Sequence, residues 1–272
     1  MREQLSAWRK QGQSIALVPT MGNLHAGHLA LMKMALQIAQ RTIATIFINP
    51  TQFVQGEDYA AYPRTIEDDR KVLEASGVDV LFHPEVNEMY PGGTEMQTRV
   101  TVAGLDDIFC GKFRPGHFTG VATVVTKLFN ITEPDVALFG EKDYQQLQVI
   151  RRLVRDLHLP VAIVGMPTMR EDDGLALSSR NQYLDASERR IAPLLYRSLL
   201  RISEEIKQGR TDYAKLECDA VAHLSQAGFR PEYIGIRRAG DLGEAGRDED
   251  LVVLAAAWLG RTRLIDNVLV GR

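Results

Sequence analysis

Five short apolar runs, at residues 15–18, 42–48, 78–82, 136–139 and 161–164, alternate with helix-period segments at 29–39, 65–75, 121–129 and 145–157. Runs this short and this continuously apolar read as strands buried on both faces, which belong to parallel sheets covered by their crossover helices. Residues 1–168 are therefore expected to form a doubly wound α/β domain. In such folds ligands gather outside the carboxyl ends of the strands, where the strand order reverses. The residues just after each strand are the place to look for chemistry.

The first run is followed by Pro19-Thr20-Met21-Gly22-Asn23-Leu24-His25-Ala26-Gly27-His28, which opens onto an apolar helical pattern from Leu29. A strand stops, turns at Gly22 and feeds a helix whose first turn carries two imidazoles. The unpaired N–H groups and positive dipole end of such a helix attract phosphate. Residues three apart share a helix face, so His25 and His28 can reach one ligand. The pattern reads as a place to hold a nucleoside triphosphate and to stabilise charge while phosphorus is attacked, in a Rossmann-like domain. Two other readings stay open from these residues alone. One is a pair of solvated histidines at an ordinary helix start. The other is a zinc site drawing on His25, His28, His83, His117 and Cys110, although their spacing is not ligand-like.

Further polar clusters follow the other strands. Asn49-Pro50-Thr51-Gln52-Phe53 comes after the second run, Gly140-Glu141-Lys142-Asp143 after the fourth, and Pro167, Arg170 and then Leu177-Ser178-Ser179-Arg180 after the fifth. Core-filling residues would not segregate this way, which points to one shared site. An ammonium at Lys142 can stabilise charge developing on phosphate, and Asp143 suits ribose hydroxyls. The planar fork of Arg180 suits phosphate oxygens, with Ser178 and Ser179 adding hydroxyl donors. Gln52 and Gln146 do not titrate and fit recognition of a hydroxyl- and carboxylate-bearing substrate. Residues 111–121, rich in glycine and cations, read as a loop that approaches an anion. Asp68 and Asp69 are candidates for a Mg²⁺ that bridges phosphates, or else solvated residues on the helix starting near Thr65. Each cluster taken singly is also ordinary loop composition.

After Arg180 the pattern changes. Asp185-Ala186-Ser187-Glu188 reads as a helix start leading into one long amphipathic helix through Ile206. A second helix is expected from about 212 to 227, then β-rich runs at 233–236, 251–258 and 263–270. Residues 169–272 are expected to be a smaller α+β domain. A net charge of −3 argues against nucleic acid as a partner, because phosphate backbones demand a basic face. No apolar run reaches the length of a membrane span, and the polar start Arg2-Glu3-Gln4 lacks a signal-peptide core. Two cysteines far apart, Cys110 and Cys218, do not make a disulfide scaffold. A soluble, cytoplasmic protein without a membrane partner is expected.

The blocks at 19–28, 47–53, 62–65, 114–121, 139–146 and 177–181, with 262–267 near the end, stand together in one order that resembles the pantothenate synthetase (pantoate–β-alanine ligase) family. That family lies within the HxGH nucleotidylyltransferases. The resemblance implies condensation of (R)-pantoate with β-alanine at the expense of ATP, through a pantoyl adenylate, releasing AMP and pyrophosphate, with Mg²⁺. By motif position it implies ATP binding by Met21, Gly22, Asn23, Leu24, His25, Ala26, Gly27 and His28. The same position-matching adds Gly140, Glu141, Lys142, Asp143, Met169, Leu177, Ser178, Ser179 and Arg180. Gln52 and Gln146 would hold pantoate and Gln52 would border β-alanine, while Tyr62 and His117 fall near the site. His25, His28 and Lys142 would be catalytic. His28 is the residue usually assigned as proton donor, but pantoate enters as a carboxylate and needs no general acid, so charge stabilisation is the more economical role. The resemblance also implies a homodimer meeting through the N-terminal domain. Family members usually carry a short strand before the first helix, whereas this chain opens almost at Glu3-Gln4-Leu5; a shortened or differently assigned start is expected, which bears on the sheet edge and on no site residue.

Three rivals share parts of this pattern. Another adenylyltransferase would keep HxGH but has no reason to carry Gln52 and the block at 139–146. A non-catalytic nucleotide sensor would be expected to lose Lys142 or a histidine. A tRNA-binding relative would need a basic appendage that the chain lacks.

Overall fold

The structure, a computed structural model, describes residues 1–246 and 249–271. The chain forms two compact units. The first holds Met1–Glu141 and Val149–Met166, and the second holds Lys142–Gln148 and Pro167–Arg272.

In the first unit the order is α1 (Arg2–Lys10), β1 (Ile15–Thr20), α2 (Ala26–Ile38), β2 (Arg41–Ile46), α3 (Ile66–Ser76), β3 (Val80–Phe82), α4 (Val86–Met89), α5 (Cys110–Phe113), α6 (His117–Thr132) and β4 (Val136–Gly140). α7 (Tyr144–Asp156) and β5 (Ala162–Met166) follow. The sheet runs β3-β2-β1-β4-β5 and every pairing is parallel. The chain winds from β1 outward to β3, then crosses back to β4, so the strand order reverses between β1 and β4. All four residues Ile15, Ala16, Leu17 and Val18 are fully buried, as a central parallel strand requires. On one face Ala16, Val18, Ala44, Ile46 and Leu138 pack against Leu31, Met32 and Ala35 of α2 and Leu73 of α3. Each large aliphatic side chain so buried contributes roughly 1.5–3 kcal/mol. This packing fixes where α2 starts, and hence where its histidines stand.

Several boundaries differ from expectation, among them the end of β2, the start of α6, the start of β3 at Val80 and both ends of β6 (Phe229–Arg238), and the first two have local reasons. β2 ends at Ile46, because only Phe47 adds one more sheet-like bond (to Thr20 O, 3.1 Å) before Asn49 and Pro50 turn the chain. α6 starts at His117 instead of 121, since Gly116 takes a left-handed φ of +83° and lets the helix begin at once.

In the second unit, α8 (Ala186–Ile191), α9 (Leu194–Lys207) and α10 (Tyr213–Gln226) precede β6 (Phe229–Arg238), β7 (Leu251–Leu259) and β8 (Thr262–Val270). These strands form an antiparallel sheet in the order β6-β7-β8. Leu251, Val253, Ala255, Ala257 and Leu259 line one face of β7 at period two and pack with Leu195, Leu199 and Ile202 of α9 and Leu216 and Leu224 of α10. The single long helix expected through Ile206 is two helices. Pro193 has no N–H to donate and separates α8 from α9. Asp185 does open α8: its Oδ1 accepts from Ser187 and Glu188 N–H while Glu188 Oε2 accepts from Asp185 N–H. Residues 142–148, which precede β5 in the chain, pack with this unit, where Tyr144 OH donates to Ala239 O at 3.0 Å. Among the described residues, no helix is long and apolar enough to cross a membrane.

Candidate functional site

Between β1 and α2 the backbone is held from three sides. Thr20 Oγ1 donates to Thr45 O (2.6 Å) and accepts from Gly22 N–H (3.2 Å). Gly22 has φ +82°, and a Cβ there would stand 3.0 Å from Asp69 Oδ2 and 3.1 Å from Ile46 Cγ2. Glycine is required on both counts. Asp69, buried in the first turns of α3, accepts from Asn23 N–H and Leu24 N–H at 2.8 Å each, and from Thr65 Oγ1 at 3.0 Å. Its carboxylate therefore sets the loop from which His25 and His28 project.

His25 caps α2. Its Nδ1 accepts from Gly27 N–H (3.2 Å), and His28 Nδ1 accepts from His25 N–H (3.3 Å). The ring centroids are 4.1 Å apart. A neutral imidazole whose Nδ1 accepts carries its proton on Nε2. Both rings are thus set as Nε2–H donors beside the positive end of a helix, an arrangement that suits phosphate oxygens.

Asp68 and Asp69 do not form a pair of metal ligands. Asp68 lies exposed with Lys71 at 3.2 Å, while Asp69 spends its oxygens on backbone amides and a hydroxyl. Neighbouring helix positions point about 100° apart, which divides the two carboxylates. Among the described residues no group of three or more His, Cys, Asp or Glu side chains is placed to hold a metal.

After β2, Asn49 caps the short turn Pro50–Gln52. Asn49 Nδ2 donates to Gln52 Oε1 (3.0 Å) and Gly120 O (3.2 Å), and Asn49 Oδ1 accepts from Tyr90 OH (2.7 Å) and Thr51 Oγ1 (2.9 Å). Burial pushes the Tyr90 phenol above its ordinary range, so it stays a donor. Gln52 Nε2 reaches Met21 Sδ at 3.2 Å, which joins this turn to the β1–α2 loop. α6 comes so close that a Cβ at Gly120 would fall 2.3 Å from Thr51 O. Behind Gln52 a chain of charge runs inward. Glu57 grips the Arg114 guanidinium with both oxygens, and Arg114 Nη1 donates to His117 Nε2 at 2.9 Å. Because arginine only donates, His117 accepts at Nε2 and donates from Nδ1 to Gln52 O at 2.7 Å. His117 and Tyr62, both buried, support this turn: Tyr62 packs its ring edge-on to Phe53.

β4 ends at Gly140, followed by the turn Glu141–Asp143 and the half-buried Gln146 in the first turn of α7. Lys142, in the second unit, has no ion pair or side-chain hydrogen bond for its ammonium among the described residues. Asp143 is exposed. Met169 is exposed as well, and its carbonyl accepts from Leu177 N–H at 2.9 Å. Ser178 caps the turn Ser179–Tyr183, its Oγ accepting from Arg180 N–H at 3.2 Å.

The first unit thus gathers Met21, Gly22, Asn23, Leu24, His25, Ala26, Gly27, His28 and Gln52, with Gly140 and Glu141 at the end of β4, at the carboxyl ends of strands around the β1/β4 reversal. The second unit carries Lys142, Asp143, Gln146, Met169, Leu177, Ser178, Ser179 and Arg180. Sequence reasoning placed Asn49 in the cluster after β2 but gave it no role, and it missed Glu57 and Tyr90. An Asn before Pro was a usable signal for the cap at Asn49. Nothing local marks Glu57 or Tyr90.

The family model described as pantoate-beta-alanine ligase matches residues 1–269. The pantothenate synthetase of Ectopseudomonas mendocina is 56% identical over 271 residues, 99% of this chain and 95% of that protein. That of Azotobacter vinelandii is also 56% identical, over 99% of this chain and 96% of the other. A crystal structure of pantothenate synthetase from Thermus thermophilus superposes with a TM-score of 0.91 at 46% identity, covering 98% of both chains. A pantoate-beta-alanine ligase from Francisella tularensis, complexed with beta-gamma ATP and beta-alanine, has a TM-score of 0.81 at 36% identity over 98% of this chain and 95% of that one.

Proposed function

The chain belongs to the pantoate-beta-alanine ligase family, and on that premise we propose that it makes pantothenate in two steps with ATP as the activating substrate. The pantoate carboxylate oxygen attacks the α-phosphorus, the bond from that phosphorus to the bridging oxygen breaks, and pyrophosphate leaves. The β-alanine amine then attacks the acyl carbon of pantoyl adenylate, the acyl C–O bond breaks, AMP leaves, and the nitrogen sheds its proton. Activation is necessary because a free carboxylate is a poor electrophile, and AMP is a good leaving group.

The observation that carries this reading is the pair of imidazoles at the start of α2, both set as Nε2–H donors by backbone amides. They suit stabilisation of charge on the phosphates and need move no proton. The amides of the β1–α2 loop and the helix end join them. Lys142, Ser178, Ser179 and Arg180 supply the cations and hydroxyls for the departing pyrophosphate, and Asp143 with Gly140 suits the ribose. Glu141 and Leu177 flank these contacts and Met169 adds a further nucleotide contact. Gln52 and Gln146 take the hydroxyl and carboxylate of pantoate. Gln52 Nε2, with one hydrogen on Met21 Sδ, keeps a second for substrate. The β-alanine amine arrives beside Gln52.

Mg²⁺ comes with ATP in this reading, since the ion prefers phosphate oxygens and water and dehydrates reluctantly. Asp68 and Asp69 do not fit it, so no residue and no step is assigned to it. Cytoplasmic work as a homodimer completes the proposal, with the free thiols of Cys110 and Cys218 suited to a reducing compartment.

Exchange of labelled pyrophosphate into ATP tests the first step. Exchange that requires pantoate and proceeds without β-alanine supports the adenylate. AMP formation only when all three substrates are present, with no exchange, would overturn a freely reversible adenylation.

A further inference from the structure

Two adjacent polar residues on β8 have no part in the chemistry above. Asp266 and Asn267 are 4% and 6% exposed. A buried carboxylate and a buried amide are costly in a strand unless both are bonded, and their bonds lead to the two phosphate-binding segments of the second unit. Asp266 accepts from Arg170 with both oxygens, at 2.6 and 2.8 Å. Arg170 also donates to Gly174 O (3.1 Å) and Asn267 O (3.3 Å), and its guanidinium lies 3.5 Å above the Tyr196 ring. Arg170 opens a turn that closes by bridging to Ala176, and Ser178, Ser179 and Arg180 follow within four residues. One residue along β8, Asn267 Nδ2 donates to Lys142 O at 3.0 Å, across 125 residues of chain.

We infer that Asp266 and Asn267 are positioning residues: Asp266 sets the segment 178–180 through Arg170, and Asn267 sets the backbone from which Lys142 projects. The inference rests on the proposed phosphate role of Lys142, Ser178 and Arg180. Its physical reason is preorganisation. Lys142 has a flexible stem, so the backbone anchor decides where its ammonium can stand. Cations and hydroxyls stabilise a departing phosphate chain only if they are fixed before the charge arrives. Because β8 is a single rigid strand, bonds from consecutive residues hold the two segments in one frame. An antiparallel strand near the chain terminus thus reaches the reaction through other residues and touches no substrate.

A double-mutant cycle on the full-length enzyme tests this, with pantoate-dependent pyrophosphate exchange as the readout. Asn267→Ala is expected to slow exchange about 10- to 100-fold, with the KM for pantoate unchanged and melting within a few degrees of the parent. Combined with Lys142→Ala it should be no slower than Lys142→Ala alone, because the anchor has nothing left to position. Parental exchange in Asn267→Ala, or losses that multiply in the double variant, would overturn the inference while leaving the phosphate role of Lys142 in place. Parental exchange in Lys142→Ala would instead overturn that role. Should Asn267→Ala fail to fold, Asn267→Asp keeps the size, turns an acceptor toward the Lys142 carbonyl, and carries the same cycle.

Discussion

Asp69 Oδ1 accepts the backbone N–H of Leu24 at 2.8 Å across 45 residues of chain, and its Oδ2 takes the Asn23 N–H at the same distance. A carboxylate in the first turns of α3 thereby shapes the loop that launches α2. Its negative charge is balanced by amide dipoles, in a place where an acidic residue near the proposed phosphate site would otherwise repel the ligand.

Asp69→Asn should therefore damage ATP use without altering the metal requirement. The variant keeps the shape but sets an NH₂ group against a backbone N–H. Loss of a buried hydrogen bond to a charged group costs roughly 1.5–3 kcal/mol, or about 10- to 100-fold in ATP KM or adenylation rate. Titration of activity with Mg²⁺ at saturating ATP is the check. An unchanged midpoint supports the loop role, and a midpoint raised severalfold would restore Asp69 as a metal ligand.

Pantoate binding should depend on a residue that need not touch it. His117 donates to Gln52 O and is itself held by Arg114 and Glu57. His117→Ala leaves the Gln52 carbonyl and the Arg114 guanidinium each short of a partner. The expected result is a rise in pantoate KM of about tenfold, with ATP KM changed much less. Steady-state kinetics with each substrate varied separately distinguishes this from a general loss of folded enzyme, which would lower kcat alone.

How much of this was legible depended on whether the signal was local. The turn at Gly22, the helix that follows it and the succession of strands could be read because glycine, helix period and apolar runs act within a few residues of themselves. The roles of Asp69 and Asn267 could not. Whether an acid near a helix start faces a metal, water or a distant amide is decided by how α3 packs on the sheet. Pro193 was visible, yet the apolar period across 185–206 masked the break it makes. Likewise Arg114 and His117 stood in a block read as an anion loop, but Arg114 is neutralised by Glu57, 57 residues away in sequence.

The turn that precedes Ser178 carries an acid-sensitive brace. Arg189 binds Asp173 and Glu171, and its hydrogen bond is the main reason the Asp173 carboxyl is held below its ordinary 3.8. A depressed folded-state value means stability that is present above the unfolded-state value and lost as pH falls through the folded one. Arg189→Ala should therefore melt lower than the parent at about pH 7, and the gap should narrow once the pH drops below about 3.8. Thermal melts across that range check it, and a gap that is constant with pH would assign the effect to lost packing.

The sharpest test of the chemistry compares His28 with Lys142. If His28 were the proton donor, its removal would exceed that of any single charge-stabilising group. In the proposed reaction pantoate arrives as a carboxylate and pyrophosphate leaves as an anion, so adenylation has no proton that must be delivered. The Nδ1 of His28 is committed to the His25 amide, which leaves the ring one Nε2–H donor, whereas Lys142 brings a full charge with no protein carboxylate to quench it among the described residues. Removing one preorganised donor costs about 10²–10³ in rate. Lys142→Ala is expected to lose at least as much as His28→Ala in single-turnover adenylation, and the His28→Ala rate should follow the parental pH profile in shape. A selective collapse of adenylation in His28→Ala, with Lys142→Ala spared, would return the proton to His28.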